Sequence, residues 1–472
     1  MLTYNLHNKE KSTLYELLYT NIKNDILDGK IASNEKLPSK RSLAQHLKIS
    51  IITVENAYTQ LLSEGYIYSI EKKGYYACEL QKTSLQKPLK SQVKTHIQPL
   101  ERKKDEFLID FKSNAVPAEK FPFSVWSKLM REVLSEKGSQ LLQPMPFNGT
   151  EQLRTAIADH LYHFRGMHVL PDQILIGAGT EYLYHLLIQL LGREHVYALE
   201  NPGYSKISKI YAANDVSFAS IHLDSQGLSI HELKQSKANI IHISPSHHFP
   251  TGIITPMKRR QEILNWANQD SSRYIIEDDY DSEFRFHGKP IQTLQSIDAN
   301  EKVIYINTFS KTIAPTIRIS YMVLPFHLME KFREEMGFYS CTVSSFEQYT
   351  LASFIEKGHF ERHINRMRNF YRSQRDSLLE KIKKSPFNKK VTVLEENSGL
   401  HFILDVNTDI SDEELIQQAH NNGINISCLS DYYYGCKNNL QEKNLQHKLV
   451  INYSCIDCEK VMENVHRLLS IL

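Results

Sequence analysis

The chain has 472 residues, 41% of them hydrophobic, which is too long for one ordinary domain and apolar enough to bury sizeable cores. Lysine and arginine number 56 against 54 acidic residues, a formal net charge of +2, so bulk charge excludes neither an acidic nor a basic partner and only its local distribution is informative. Six cysteines in this length exclude a disulfide framework. Cys455 and Cys458 make one C-x-x-C pair with no second pair at metal spacing, and read as ordinary core cysteines rather than a zinc or redox site. No cationic-then-apolar leader opens the chain and no apolar run reaches the roughly 18 residues a membrane span needs, so a cytoplasmic protein is expected.

Residues 1–80 follow a logic of their own. Leu14, Leu17, Leu18, Ile22 and Ile26 recur at helical spacing and stop at Asp28-Gly29. A second helix starts after Leu37-Pro38 with Ser39 as its N-cap and buries Leu43, Ala44 and Leu47. A third runs from about Ile51 to Glu64, burying Val54, Ala57, Tyr58, Leu61 and Leu62, and ends at Gly65. Tyr66-Ile-Tyr-Ser-Ile and Tyr75-Tyr-Ala-Cys then flank Lys72-Lys73-Gly74 as a β-hairpin with a basic tip. Three helices and a wing outline a winged helix-turn-helix; a small helical dimerisation domain is the alternative. Charge favours DNA. Ser39, Lys40 and Arg41 open one helix, Ser50 and Thr53 the next, and Lys72 and Lys73 lie on the hairpin, an arrangement that straddles a phosphate backbone with the third helix in the major groove.

Residues 81–106 are rich in lysine, glutamine and serine without period, and read as a flexible linker rather than a DNA-contacting arm. In residues 107–472 strands and helices alternate, as a mostly parallel α/β sheet requires. Predicted strands are Gln173-Ile-Leu-Ile-Gly, His195-Val-Tyr-Ala-Leu, Ile240-Ile-His-Ile-Ser, Tyr274-Ile-Ile-Glu and Val303-Ile-Tyr-Ile. From about Phe387, strands at Val391–Leu394 and Leu400–Leu404 mix with helices at Asp412–Asn421 and Glu459–Leu472, which suits a smaller α+β lobe closing a cleft.

The chemistry gathers where these strands stop. Tyr274-Ile-Ile-Glu-Asp-Asp-Tyr-Asp281 and Val303-Ile-Tyr-Ile-Asn-Thr-Phe-Ser-Lys311 are apolar runs that end abruptly in charged or hydroxyl residues, as buried parallel strands do at a ligand-bearing rim. An amine (Lys311), a carboxylate (Asp278) and a phenol (Tyr280) at one rim suit pyridoxal 5'-phosphate: Schiff base, ring nitrogen and ring oxygen respectively. Gly179 and Thr180 open a helix after a strand, exposing N–H groups and a hydroxyl to an anion. Thr308, Ser310 and Arg318 complete a phosphate cup, although an isolated arginine is by default a surface salt-bridge partner. Tyr204, in Asn201-Pro-Gly-Tyr204, stacks on a planar ring or is simply an amphipathic tyrosine at a rim. His247 or His248, in the turn Ser244-Pro-Ser-His-His-Phe-Pro-Thr-Gly252, reaches the pocket or is structural.

Those motifs, together with Leu37-Pro-Ser-Lys-Arg-Ser-Leu-Ala44, Ala57-Tyr58 before Gly65-Tyr66, Ile276-Glu-Asp-Asp-Tyr-Asp-Ser-Glu-Phe284 and Arg318-Ile-Ser-Tyr321, occur in an order that resembles the MocR/GabR-type regulators over nearly the whole length. The resemblance implies a GntR-type winged helix fused to a fold-type-I aminotransferase-like domain. It implies that Lys311 carries the internal aldimine, that Asp278 and Tyr280 meet the ring nitrogen and oxygen, and that Tyr204 stacks. Gly179, Thr180, Thr308, Ser310 and Arg318 would hold the phosphate. It also implies a head-to-tail homodimer with each winged helix on the partner's large domain. Four positions depart from the family pattern. Ile51 stands where an arginine usually follows the serine at Ser50, and Phe249 stands where true aminotransferases have an asparagine. By local alignment, Asp431 replaces the arginine that holds an effector carboxylate, and Lys206 replaces a second arginine, so both are candidates for an effector site that does not take GABA. The expected function is transcription regulation through promoter DNA, with an amine metabolite or pyridoxal phosphate as effector. The alternatives are a working aminotransferase with a DNA-binding appendage, or a scaffold without cofactor.

Overall fold

The computed structural model describes residues 2–4, 13–80, 107–113, 116–286, 288, 291–386, 388–396, 399–434, 446–454 and 456. The expected linker at 81–106, the Cys455/Cys458 pair and the expected helix at 459–472 lie outside them. The chain divides into two compact units, Met1–Lys103 and Lys104–Leu472.

In the first unit, α1 (Leu14–Leu27), α2 (Lys40–Leu47) and α3 (Ile51–Ser63) precede an antiparallel hairpin of β1 (Ile67–Ile70) and β2 (Gly74–Ala77). The helices begin where their caps dictate: Ser39 Oγ accepts from Ser42 N at 3.2 Å and Ser50 Oγ from Thr53 N at 3.0 Å. Lys48, in the left-handed region at φ 55°, turns the chain between α2 and α3. One core holds them together: Leu18, Ile22, Leu43, Val54, Tyr58, Leu61 and Ile67 are buried, and the Tyr58 hydroxyl donates to Pro38 O at 2.9 Å. Leu62 and Leu47, expected inside, are only half-buried at the edge of this core.

The second unit is built on an eight-stranded mixed sheet. After the short β3 (Ile109–Asp110), strands β4 (Ile174–Gly177), β5 (Tyr197–Asn201), β6 (Phe218–Asp224), β7 (Gly227–Leu228), β8 (Ile240–Ile243), β9 (Tyr274–Asp278), β10 (Val303–Thr308) and β11 (Ser320–Val323) lie in the order β4-β11-β10-β9-β8-β5-β6-β7. Neighbours from β10 through β9, β8 and β5 to β6 are parallel, whereas β11 is antiparallel to both β10 and β4. The predicted strands are all present; those from Ile240, Tyr274 and Val303 start where expected, and those predicted from Gln173 and His195 start one and two residues later. Their unbroken apolar runs reflect burial on both faces, and β8 and β10 are buried at every position. The smaller lobe carries β12 (Val391–Leu394), β13 (His401–Val406), β15 (Ser427–Cys428) and β16 (Lys448–Asn452) in the order β12-β13-β16-β15, while β14 (Ile424–Asn425) pairs with β3. The helix Asp412–Asn421 has the bounds its pattern predicts, with Ser411 as N-cap. Among the described residues no helix is long and apolar enough to cross a membrane.

Leu61 has no exposed surface and sits between the three helices of the first unit. Leu61→Ala should destabilise that unit by about 2–5 kcal/mol, the range for a buried leucine that leaves a cavity, measured as a lower urea midpoint.

Candidate functional site

The parallel register of the sheet assembles the site. Asp278, the last residue of β9, is paired with Ile306 of β10, so the turn after β10 that carries Lys311 rises from the same rim. Lys311 itself is half-buried in that turn. Asp278 is buried and held from two sides. The Tyr184 hydroxyl, on the helix Thr180–Leu191, donates to its Oδ2, and His242 Nε2, on β8, lies 3.5 Å from the same atom. The Tyr211 hydroxyl is 2.8 Å from His242 Nδ1. Asp278 Oδ1 is buried and has no hydrogen-bond partner. A buried carboxylate oxygen left this way costs free energy until a donor reaches it, and a protonated pyridine nitrogen is such a donor.

The residues expected to form an anion cup lie on neighbouring segments. Gly179, at φ 94°, caps the helix Thr180–Leu191, and a Cβ there would lie 2.5 Å from Arg318 Nη2, so only glycine lets the guanidinium approach this helix start. Arg318 Nη2 donates to Ala178 O at 3.4 Å. Ser310 Oγ donates to Ile317 O at 2.8 Å, which ties the turn of Lys311 to the segment bearing Arg318. Thr308 Oγ1 accepts from Ser320 Oγ at 2.8 Å and from Ser310 N at 3.2 Å. Two orphaned features, a glycine cradle and an unpartnered carboxylate oxygen, therefore match the two ends of pyridoxal phosphate.

Tyr280 is held in the same place. Its hydroxyl lies 3.4 Å from His247 Nδ1, and that nitrogen lies 2.7 Å from Asp281 Oδ2. Burial, followed by the charges of Asp281, Asp278 and Asp279, pushes the Tyr280 hydroxyl well above its ordinary pKa, so it keeps its proton. Tyr204 is half-exposed at the start of the helix Ser205–Ala213, its ring edge-on to Phe249 at 6.1 Å. Phe249 also meets His401 at 5.1 Å and Tyr432 at 5.2 Å. Of the two effector candidates, Lys206 pairs with Glu181, whose other oxygen is 3.7 Å from Arg318, which places Lys206 beside the anion cup. Asp431 is exposed and accepts from Cys428 N at 3.2 Å, closing its own short turn.

Sequence reasoning missed a second layer. Asp279, beside Asp278 but pointing away from it, is bound by the Arg165 guanidinium and by the Tyr305 hydroxyl at 2.7 Å. Burial alone would raise the Asp279 pKa, but Arg165 outweighs it and holds the carboxylate below its ordinary range. The signal was present: four acidic residues between positions 277 and 281 cannot all be buried without a cation, and Arg165 ends an amphipathic helix.

In the first unit, Ser39 and Ser50 cap their helices and Thr53 shares a 2.8 Å contact with the Ser50 hydroxyl. Lys40 reaches Glu55 on α3 at 2.5 Å and lies over the Tyr75 ring, while Arg41, Lys72 and Lys73 stand exposed.

Comparison with known proteins decides between the readings of this architecture. Residues 14–76 match the family described as bacterial regulatory proteins, gntR family, and residues 107–456 match aminotransferase class I and II. The chain is 40% identical to YdeL, an HTH-type transcriptional regulator of Bacillus subtilis (strain 168), across 89% of this chain and 90% of that one. It is 27% identical to the rhizopine catabolism regulatory protein MocR of Rhizobium meliloti, across 97% and 93% of the two chains. The chain belongs to the MocR/GabR-type regulators. Its second unit superimposes on the kynurenine aminotransferase of Pyrococcus horikoshii with a TM-score of 0.66 at 22% identity, covering 78% of this chain and 90% of that one. It is thus a transcriptional regulator in which a GntR-type DNA-binding region is joined to a fold-type-I aminotransferase-like domain, the fold of pyridoxal 5'-phosphate enzymes.

Behind the MocR-type site, Glu200 at the end of β5 is fully enclosed. It accepts from Ser244 N at 2.8 Å and lies 3.6 Å from His248 Nε2. Burial first, and then the nearby Asp278, push its pKa up to about 8. An acid whose folded pKa lies above its unfolded value of 4.5 is protonated when folded and releases that proton on unfolding. The stability it contributes is whole below pH 4.5 and is lost as pH rises towards 8. Glu200→Gln, permanently neutral, should therefore unfold at higher denaturant than the native chain at pH 8, by up to a few kcal/mol. The difference should vanish as the pH falls to 4.5.

Proposed function

We propose that this regulator binds promoter DNA as a homodimer and uses pyridoxal phosphate, tethered at Lys311, to sense a primary-amine metabolite or the coenzyme itself. The observation that carries this reading is Asp278: a buried carboxylate fixed by Tyr184 and His242, with one oxygen unpartnered, on the strand next to the one leading to Lys311. A site built only to stabilise the sheet has no use for that oxygen. We place its action in the cytoplasm, where the DNA is.

Bound there, pyridoxal phosphate supplies an aldehyde carbon that exchanges between amines and a ring that withdraws electrons from it. The residues divide the work of holding it. Asp278 would accept from the ring nitrogen through its unpartnered oxygen, which is in place before any ligand arrives. Asp281, an acceptor, holds the His247 proton on Nδ1. The Tyr280 oxygen can then only accept from that nitrogen, and its own O–H stays available to the ring oxygen. Gly179, Thr180, Thr308, Ser310 and Arg318 form the phosphate cup, with Lys206 and Glu181 at its edge. Tyr204 flanks the ring face. With the coenzyme held at Lys311, an effector amine in this site would change what the cleft between large domain and small lobe encloses. Only differential affinity for the two resulting states can shift the balance of DNA-binding forms. The half-exposed Tyr204, Lys206 and Arg318 leave a polar rim that a second copy of the chain would cover in a head-to-tail dimer.

The enzyme reading is weaker. Phe249 is locked in ring contacts with Tyr204, His401 and Tyr432, and Asp431 is committed to its own turn, so neither positions a carboxylate substrate. The purified protein with added pyridoxal phosphate should absorb near the visible edge. Lys311→Ala should abolish that band, and Asp278→Asn should weaken coenzyme binding by about tenfold or more. Promoter binding should respond to particular amines. Sustained keto-acid-dependent turnover without specific DNA binding would reverse the assignment.

A further inference from the structure

The base-reading helix of the first unit has an unusual surface. Ile51 and Ile52, its first two residues, are 48% and 67% exposed, although apolar side chains of this size are normally inside. The first turn of a recognition helix is the part that meets base edges in the major groove. Exposed positions further along the same side include Glu55, Asn56 and Thr59, with Gln60 and Ser63 towards the helix end. Glu55 is neutralised by Lys40. The whole helix, Ile-Ile-Thr-Val-Glu-Asn-Ala-Tyr-Thr-Gln-Leu-Leu-Ser, contains neither lysine nor arginine. Cations stand around it instead: Arg41 and Lys48 on or after α2, Lys72 and Lys73 on the hairpin, all exposed.

This separates two tasks chemically. The surrounding cations suit phosphates, which carry no sequence information. The helix itself lacks the side chains that make the commonest contact to guanine, a bidentate bond from arginine or lysine to O6 and N7. It offers two aliphatic groups, which match the thymine 5-methyl, and one turn further on the amide of Asn56, which matches N6 and N7 of adenine. Methyl and amide partners lie on the same edge of A·T pairs. We infer that α3 reads A·T base pairs in duplex DNA, with Ile51 and Ile52 packing against thymine methyl groups and determining specificity. The inference rests on the reading of the first unit as a DNA-binding module and adds to it the class of sequence recognised.

The test uses the full-length protein. A duplex bound with high affinity is selected from a random pool, and each thymine in it is replaced singly by deoxyuridine, which removes only the 5-methyl. Burial of one methyl predicts affinity about three- to fivefold weaker at one or two thymines in each selected site. Ile52→Ala, at an exposed position that leaves the core intact, should bind the thymine and uracil duplexes alike. Ile51→Arg should move the selected consensus towards G·C pairs. The inference is overturned if no thymine-to-uracil change matters, if Ile52→Ala retains the native discrimination, or if the selected core is G·C-rich. It is also overturned if the isoleucine variants change the sedimentation of the DNA-free protein instead, because the apolar pair would then belong to a contact between copies. Failure to enrich any duplex would sink the DNA-binding reading itself, a result distinct from a selected site that ignores the methyl groups.

Discussion

The second unit depends on positioning one buried carboxylate with one of its oxygens unused inside a sheet. Asp278 sits at the carboxyl end of a buried parallel strand. The Tyr184 hydroxyl donates to it from one side and His242 packs beside it on the other, each from a different element, and His242 is itself in contact with Tyr211. The helix after β4, the strand β8 and the helix after β5 must therefore all be in place before the acid is positioned. Strand register then does the rest. Asp278 beside Ile306 brings the Lys311 turn to the same rim, and Thr308 beside Ser320, itself beside Gly177, aligns the three stretches proposed to hold an anion across neighbouring strands. A one-residue slip would turn each of these side chains to the opposite face.

The first-layer residues were legible because each stands where an apolar run breaks off. A buried strand cannot hide a carboxylate, an amine or a hydroxyl, so the break marks both the rim and the chemistry. The helices of the first unit were legible for a related reason: Ser39 and Ser50 satisfy backbone donors that have no other acceptor, and their positions define the helix starts. The second layer was not legible from spacing. Tyr184 and His242 look like core residues in an apolar helix and an apolar strand; their role follows only once β8 and the helix are packed against β9. His242 within Ile-Ile-His-Ile was a clue, since a buried imidazole needs partners. Arg165 lies 114 residues from Asp279, and no local pattern links them. Lys206 and Asp431 illustrate the converse. Alignment proposes both for an effector site, and the fold places one beside Glu181 and Arg318 and the other in a short turn with Cys428, contacts that no local pattern shows.

The contacts around Phe249 bear on why this domain serves a regulator. Its ring is edge-on to Tyr204 from the large domain and to His401 and Tyr432 from the small lobe, so the turn Ser244–Gly252 is packed between both parts. A substrate-orienting asparagine at this point would make one polar contact to a bound ring. A phenylalanine exchanges that contact for packing that joins the two lobes. Rate enhancement needs groups aimed at a transition state, whereas sensing needs only that occupancy and conformation be linked.

The same linkage recurs one layer deeper, at Gly399. A Cβ there would lie 2.1 Å from His247 Cε1 and 2.6 Å from Asp281 Oδ2, so the entry to β13 rests directly on the His247–Asp281 pair. That pair sets the hydrogen bonding of Tyr280, and His247 also lies against His401 at 4.8 Å. Tyr280 and the entry to β13 of the small lobe therefore both rest on the His247–Asp281 pair. Packed interfaces of this kind switch between arrangements rather than deform smoothly. The Tyr280 hydroxyl and the small lobe are, on this geometry, joined through the His247–Asp281 pair.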